Sequence, residues 1–394
     1  MKFSIKDIKT KLSFVSILWI ILSSNSLVYC IFNMKLCMAV LSLLAISFLL
    51  INTYISRENL YVFIGIVAIV FLNLLFNLKY TTLNEAIIIL LIRCVCLMII
   101  MSNINRDEFV DNYITIMAVM CIISLICFIL TQQGVTLPFQ KTITFKNKYY
   151  IYTFYHTLGR WNILERNCGV FWEPGGYQIF LNYGLLMLMT DSTRIINKFG
   201  LKKYIFVVVA FVSTIMTTLS TTGFICFALI LSIGVLHQSG NKKIKGALLV
   251  LIAVSLGVFL IIENNLGIIE SKAINQEGSF GTRYNDTIVS FELGLKRVLG
   301  YGYGNTYSPT VLMARGVTDN SSGLGSLLVY FGVIVTGLYL IYIWFKLKKM
   351  FNMTLIESIL AFVVFVLFIM SENVFPITLF VSILFFWKHE QPTE

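Results

Sequence analysis

The residues best able to do chemistry crowd into Arg166-Asn167-Cys168-Gly169-Val170-Phe171-Trp172-Glu173-Pro174-Gly175-Gly176-Tyr177, a polar, glycine-rich interruption in an otherwise apolar chain. Arg166 carries a guanidinium that stays charged at any working pH and presents a planar fork of donors suited to phosphate. Glu173 sits at the mouth of the apolar run that follows. Its carboxylate can act as a general base toward a hydroxyl, or as a helix-start acid favoured by the macrodipole. Two further arginines stand apart from an obvious acidic partner: Arg160, just upstream, and Arg283 in Gly281-Thr282-Arg283-Tyr284-Asn285-Asp286. Two such forks from different loops would suit a diphosphate at a membrane surface; the plainer role is contact with lipid phosphates or water. Arg93 interrupts the apolar segment that starts near Glu85, about 12 Å down a helix at 1.5 Å per residue. A charge at that depth is costly unless wet or paired. Arg93 therefore faces a cavity, where it binds phosphate, or pairs with an acid on another helix. His156 is a weaker candidate base, whereas His237 and His389 follow apolar runs at ends expected in the cytoplasm and are incidental.

These groups must be held by apolar scaffolding. The chain has 394 residues, 58% of them hydrophobic and only 12% charged, and a mean hydropathy of +0.84. A soluble domain is typically about a quarter charged, so the composition excludes that class and points to an integral membrane protein. The formal charge of +11 then reflects loop Lys and Arg rather than nucleic-acid binding. The eight Cys fall mostly inside apolar runs, with only Cys168 in a long polar connection, and form neither a disulfide framework nor a zinc pattern. Metal-ligand spacings and nucleotide-cradling glycine loops are absent, so no metal or cofactor is expected.

Apolar runs recur at about 12–31, 36–55, 60–78, 85–102, 110–130, 171–189, 203–219, 223–237, 246–262, 322–345, 355–371 and 374–387. The pattern predicts an all-α, polytopic fold with about twelve transmembrane helices in one membrane domain, 1–394. Four basic clusters share one side under that count: Lys2 to Lys11, Arg194 to Lys203, Lys242 to Lys245 and Lys346 to Lys349. By the positive-inside rule both termini are cytoplasmic. Two long connections, about 131–170 and 263–321, then face outward. The aromatics of the first, Tyr149 to Trp161, are either an interface belt or a platform for sugar rings, and the Gly300-Tyr301-Gly302-Tyr303-Gly304 run of the second is a glycan-contacting or tight-turn element rather than a nucleotide site.

Arg166-x-x-Gly169-x-Phe171-x-Glu173-Pro174-Gly175 ahead of an apolar helix resembles the segment of O-antigen polymerases of the Wzy type and of the related O-antigen ligases. Three elements follow in the family's order. Leu219-Ser220-Thr221-Thr222-Gly223 is similar to its polar break between helices, without the family's Arg. Gly281-Thr282-Arg283 with Gly300 to Gly304 resembles its large periplasmic loop, and Arg283 has Gly294 at the family's Arg-to-Gly spacing. Asp319-Asn320-Ser321-Ser322 before Leu327-Leu328-Val329-Tyr330-Phe331-Gly332 resembles the opening of its next helix. Ligases of this group tend to carry a His where this chain has Asp319.

The resemblance implies a GT-C-like membrane glycosyltransferase of a bacterial inner membrane, working in lipopolysaccharide biosynthesis with its site toward the periplasm. Donor and acceptor would be undecaprenyl-diphosphate-linked glycans, and the enzyme would polymerise oligosaccharide repeat units without metal. Arg166 and Arg283 would stabilise the departing diphosphate, with Arg160, Arg93, Tyr301 and Tyr303 as further contacts and Glu173 or Asp319 as base. A chain-length regulator and a flippase are the partners it implies. The alternatives are a ligase moving finished glycan to lipid A core and, in another class, a flippase or transporter of lipid-linked sugars. A transporter should show paired halves and discontinuous helices, and the sequence displays neither.

Overall fold

The computed structural model describes residues 5–238 and 279–385, apart from 25, 32, 52–53, 80–83, 146–147, 154, 162–163, 306, 318–319, 321 and 374, together with 246, 250 and 257. Helix dominates, and the chain is organised as two compact units that interleave in sequence. One contains the described residues of Met1–Tyr54 and Ile99–Ile233, the other those of Ile55–Met98 and Gly234–Phe386.

Among the described residues six helices are long and apolar enough to cross a membrane. They are α3 (Met34–Ile51), α4 (Arg57–Phe76), α5 (Glu85–Asn103), α6 (Arg106–Gln132), α9 (Leu201–Thr218) and α13 (Gly323–Met350). The apolar helices α10 (Thr221–His237) and α14 (Leu355–Ser371) are shorter. The chain is thus a multi-pass helical protein of membrane-spanning composition. The expected run at 246–262 and the segment 263–278 lie outside the described residues but for 246, 250 and 257.

In the first unit, the first apolar run is not one helix. α1 (Ile5–Leu22) ends before Ser23, and a short α2 (Leu27–Ile31) resumes after it. Ser24 Oγ donates to Ile20 O and Ser26 Oγ to Leu22 O, a use of hydroxyls that competes with the helix ladder. The freed backbone pairs elsewhere: Leu27 N–H donates to Val170 O at 2.8 Å, and Ser26 bridges to Phe171.

The first long connection, expected as a loop, folds into a four-stranded antiparallel meander. Its strands are β1 (Lys141–Phe145), β2 (Lys148–Tyr152), β3 (Thr157–Trp161) and β4 (Leu164–Gly169). Tyr150 faces Gly159 and Gly159 faces Arg166 across the ladder, with a register shift at Thr157/Leu158. β-branched and aromatic residues suit a pleated surface, which turns the aromatic content of this segment into strand rather than coil. β4 leads into α7 (Pro174–Thr190), which is buried along nearly its whole length, as expected for a helix apolar on all sides. At its far end α8 (Ser192–Phe199) carries Arg194 and Lys198 to Asp111 at 2.9 and 2.5 Å. Arg106 binds Asp191 at 2.8 Å. These pairs place the start of α6 and the end of α7 side by side.

In the second unit, α13 is broken. Gly332 has φ 75° and ψ 176° inside it, so the continuous helix expected over 322–345 is two segments. Residues 298–302, a turn followed by a bend, dock against the break. Tyr301 N–H donates to Val329 O at 2.8 Å, Gly302 N–H to Tyr330 O at 3.1 Å, and Ile334 N–H to Val298 O at 3.3 Å. A Cβ on Gly332 would lie 2.2 Å from Val298 O, and one on Gly300 would lie 2.4 Å from Tyr330 O. Only glycine permits this approach, and both adopt positive φ. α11 (Ser279–Lys296) packs along α13, with Gly294 against the Leu328 carbonyl. The short α12 (Tyr307–Met313) and α15 (Thr378–Leu384) complete the unit.

Candidate functional site

β4 and the head of α7 bring two of the expected residues together. Arg166 is half-buried and donates from Nε to Thr218 O at 2.9 Å and from Nη2 to Leu219 O at 3.0 Å. Those carbonyls are the orphan acceptors at the C-terminus of α9, where Leu219 takes a left-handed φ of 48°. A guanidinium fork satisfies such acceptors well. The Arg166 segment and the Ser220-Thr221-Thr222-Gly223 break are therefore one construction. Asn167 reinforces it: its amide donates to Thr217 Oγ1, and its Oδ1 accepts from Ser124 Oγ at 2.7 Å and from Gly169 N–H at 2.9 Å. Gly169 has φ 56°, and a Cβ there would stand 2.5 Å from the Tyr177 ring. The glycine is set by the close approach of α7.

Glu173 occupies the N-cap position of α7, and its carbonyl accepts from Tyr177 N–H. Its side chain makes no capping hydrogen bond. Position and chemistry thus separate: the backbone caps, while the half-buried carboxylate is left for other work. Cys168, fully buried between the two charges, feels both. Burial pushes its thiol up to about 12, Arg166 opposing that shift and Glu173 adding to it. Arg160 lies on β3 across from Glu165. His156, in the β2–β3 turn, is 1% exposed, and neither ring nitrogen has a partner. Burial pushes its pKa down to about 4, so the imidazole is neutral near pH 7.

The other expected residues belong to the second unit. Arg93 is 5% exposed on α5. Its Nη1 donates to the carbonyl of Pro376, just before α15, while its Nε is buried without a partner. Among the described residues no acid pairs with it. Arg283 is on α11, whose backbone places it about three turns from Gly294, so the eleven-residue spacing puts both positions on one helix face. Asp319 lies outside the described residues. Its neighbours Asn320 and Ser322 form the cap of α13: Ser322 Oγ accepts from Gly325 N–H at 3.2 Å, and Asn320 Oδ1 accepts from Ser322 N–H. The same pair ties to α11 through Ser290 and Thr287, each at 3.0 Å.

Tyr301 is buried beside Leu293, Leu312, Val317 and Val329, with the Arg297 guanidinium 5.1 Å from its ring centre. Tyr303 stacks on Phe331 at 5.6 Å and meets Tyr330 and Phe375 edge-on. Both rings hold the docked segment in place.

Sequence reasoning missed the residues that make this docking possible. Asn73 Nδ2 donates to Leu299 O at 3.0 Å and Tyr330 O at 2.9 Å, while its Oδ1 accepts from Tyr303 N–H. Asn77 and Asn84 reach Gly300 O and Gly304 O. The available signal was Asn73 and Asn77, one turn apart on a single face of an apolar helix, where amides act as interhelical glue. Asp286 on α11, only 3% exposed, was passed over too. Among the described residues no group of three or more His, Cys, Asp or Glu could hold a metal ion. Comparison with protein-family models, curated proteins and solved structures gives no match for this chain.

Proposed function

We propose that this chain is a membrane glycosyltransferase that joins polyprenyl-diphosphate-linked oligosaccharide repeat units into a surface polysaccharide, of the O-antigen kind, at the periplasmic face of a bacterial inner membrane. One observation carries the reading: Arg166 and Glu173 flank Cys168 at the head of a buried helix, the acid without a capping hydrogen bond. A hydroxyl of the acceptor sugar attacks the anomeric carbon of the donor. Glu173 takes the hydroxyl proton, and the polyprenyl diphosphate leaves with the bonding electron pair. Fixed cations aimed at charge that develops on the leaving group are the usual source of such rate enhancement, and in this reading Arg166 supplies that charge. Arg283 and Arg160 enter this reading from the sequence, as guanidiniums suited to phosphate, whereas Asp319, a chain-length regulator and a flippase enter it from the resemblance alone.

The α9 cap gives Arg166 a purely structural occupation as well, and the experiment separates the two. Arg166→Lys keeps the charge and loses the fork; Arg166→Ala loses both. Both variants should reduce surface glycan to single repeat units attached to lipid A core, with melting in detergent lowered by only about 1–3 kcal/mol for the lost hydrogen bonds. Long chains surviving in Arg166→Ala would remove the catalytic assignment. Loss of even single repeats in a deletion strain would favour the ligase or the flippase.

A transporter of lipid-linked sugars is the second reading, favoured by the broken helices at Gly332 and at Ser23 to Ser26. Discontinuous helices frame substrate sites in transporters. Vesicles containing the purified chain and a diphosphate-linked oligosaccharide discriminate: polymer without nucleotide supports the transferase, and movement of intact oligosaccharide across the bilayer supports the transporter.

A further inference from the structure

The exposed side of α13 changes owner at its break. Beyond Gly332, Ile334, Leu338, Ile341 and Phe345 form an apolar stripe between 50% and 57% exposed. Before Gly332 the helix is buried almost throughout, and α11 takes its place on the outside. Ile288, Phe291, Leu295 and Val298 recur there at helical spacing, between 41% and 53% exposed. The two helices run in parallel: Thr287 bonds Ser322, Ser290 bonds Asn320, and Gly294 meets the Leu328 carbonyl. Their stripes join where Ile334 N–H donates to Val298 O. One apolar surface thus continues from Phe345 to Ile288, out of a membrane-spanning helix and onto the second long connection.

Depth follows from two independent counts. A hydrocarbon layer about 30 Å thick takes about twenty helical residues. On α13, counted from Lys346 at the head of its basic end, the layer reaches about Ser326. On α4, counted from Glu58, which stands within electrostatic reach of Lys346, it reaches about Leu78. The counts agree, because the Asn73 amide bonds the Tyr330 carbonyl at 2.9 Å, and both residues then lie about 6–8 Å inside the far boundary. Leu295, Val298 and the docked turn 298–302 share that level.

We infer that α11 and the turn 298–302 form a re-entrant element set into the leaflet opposite Lys346 to Lys349, with phospholipid acyl chains covering Ile288, Phe291, Leu295 and Val298. Irregular backbone at such depth is tolerated when buried in protein. Gly300, Tyr301 and Gly302 are buried, and Asn73 and Asn77 supply partners that water would otherwise provide. The chain then leaves toward the start of α5, where Asn84 holds Gly304 O at 2.8 Å. The charges fit as well. Glu292 falls at the boundary, and Lys296 and Arg297 carry stems long enough to reach it. Arg297 Nη2 extends to Phe76 O, at the boundary end of α4, at 3.5 Å. This insertion does not rest on the glycosyl-transfer reading.

The test places the photoreactive residue p-benzoylphenylalanine at Phe291, Leu295, Leu338 or Asn285, one position at a time. The full chain is held in vesicles of phosphatidylethanolamine and phosphatidylglycerol, and intact-mass measurement after irradiation counts phospholipid adducts. Phe291 and Leu295 should form them at the yield of Leu338 on the span. Both should exceed by several-fold the yield at Asn285, exposed on the same helix about three turns before Leu295. Either stripe position decides where the other replacement fails to fold. Yields at Phe291 and Leu295 no higher than at Asn285 would overturn the insertion. Crosslinked pairs of chains in place of lipid adducts would overturn the choice of occupant and make the stripe an interface between copies.

Discussion

The two units admit irregular backbone into apolar sequence by different means. The first uses hydroxyls and a sheet: Ser24 and Ser26 bond back to their own turn, and the interrupted chain pairs with Val170 and Phe171 beyond β4. The second uses glycine and asparagine. Gly300 and Gly332 let two backbones meet, and Asn73, Asn77 and Asn84 occupy the polar groups that the meeting leaves over. Without water, each backbone donor and acceptor needs an internal partner. The serine device is local and tolerant, because hydroxyl and carbonyl are neighbours in sequence. The glycine device is non-local and unforgiving, because a single methyl would strike a carbonyl from a distant segment.

That contrast breaks first at Gly332. Gly332→Ala should cost about 4 kcal/mol or more, from the backbone clash and the positive φ together, read as thermal unfolding in detergent. Gly134, also at positive φ but with nothing within 4 Å, is the matched control in the first unit. Gly134→Ala should cost about 1 kcal/mol. Equal costs at the two sites would mean that the close approach at Gly332 contributes nothing.

Asn73→Leu comes next at about 3 kcal/mol, since it strands the Leu299 carbonyl and the Tyr303 N–H and takes one of two donors from the Tyr330 carbonyl. Hydrogen exchange at the Tyr301 and Gly302 amides should accelerate together. If exchange there is unchanged, the docked segment is held by its aromatic rings rather than by the amide.

The effect at His156 shows only on acidification and is nil near pH 7. Its folded pKa, about 4, is depressed from the ordinary 6.5, so the unfolded chain binds the extra proton between those values. Stability is therefore full above about pH 6.5, falls as pH drops toward 4 and levels off below it, by at most about 3 kcal/mol. The sheet should open first, and His156→Phe should flatten its pH dependence of hydrogen exchange between pH 4 and 6.5. A dependence that survives the substitution would place the titrating group elsewhere.

Part of the candidate site was legible in advance. Arg166, Gly169 and Glu173 stood out as polar and glycine-rich residues ahead of an apolar run, and the structure gathers them around Cys168. The partnership of Arg166 with Thr218 and Leu219 was not legible, because carbonyl acceptors leave no mark on residue type. The packing of Tyr301 and Tyr303 on the docked segment was hidden for the same reason: the sequence shows an aromatic ring but not which face of it is covered. The meander over 141–169 was hidden behind the expectation that a long polar connection stays a loop, although its Thr, Ile, Tyr and Trp content carried a strand signal.

By itself the sequence determined the class: a helical chain with apolar runs long enough to cross a bilayer and too few charges for a soluble surface. Transfer into hydrocarbon depends on length and composition, which are local properties. Only the tertiary structure decided where the helices break and which charges remain unpaired. Whether Gly332 kinks α13 depends on Val298 arriving beside it, and whether Arg93 meets a carboxylate among the described residues depends on which distant side chains arrive. Both are facts about distant residues meeting.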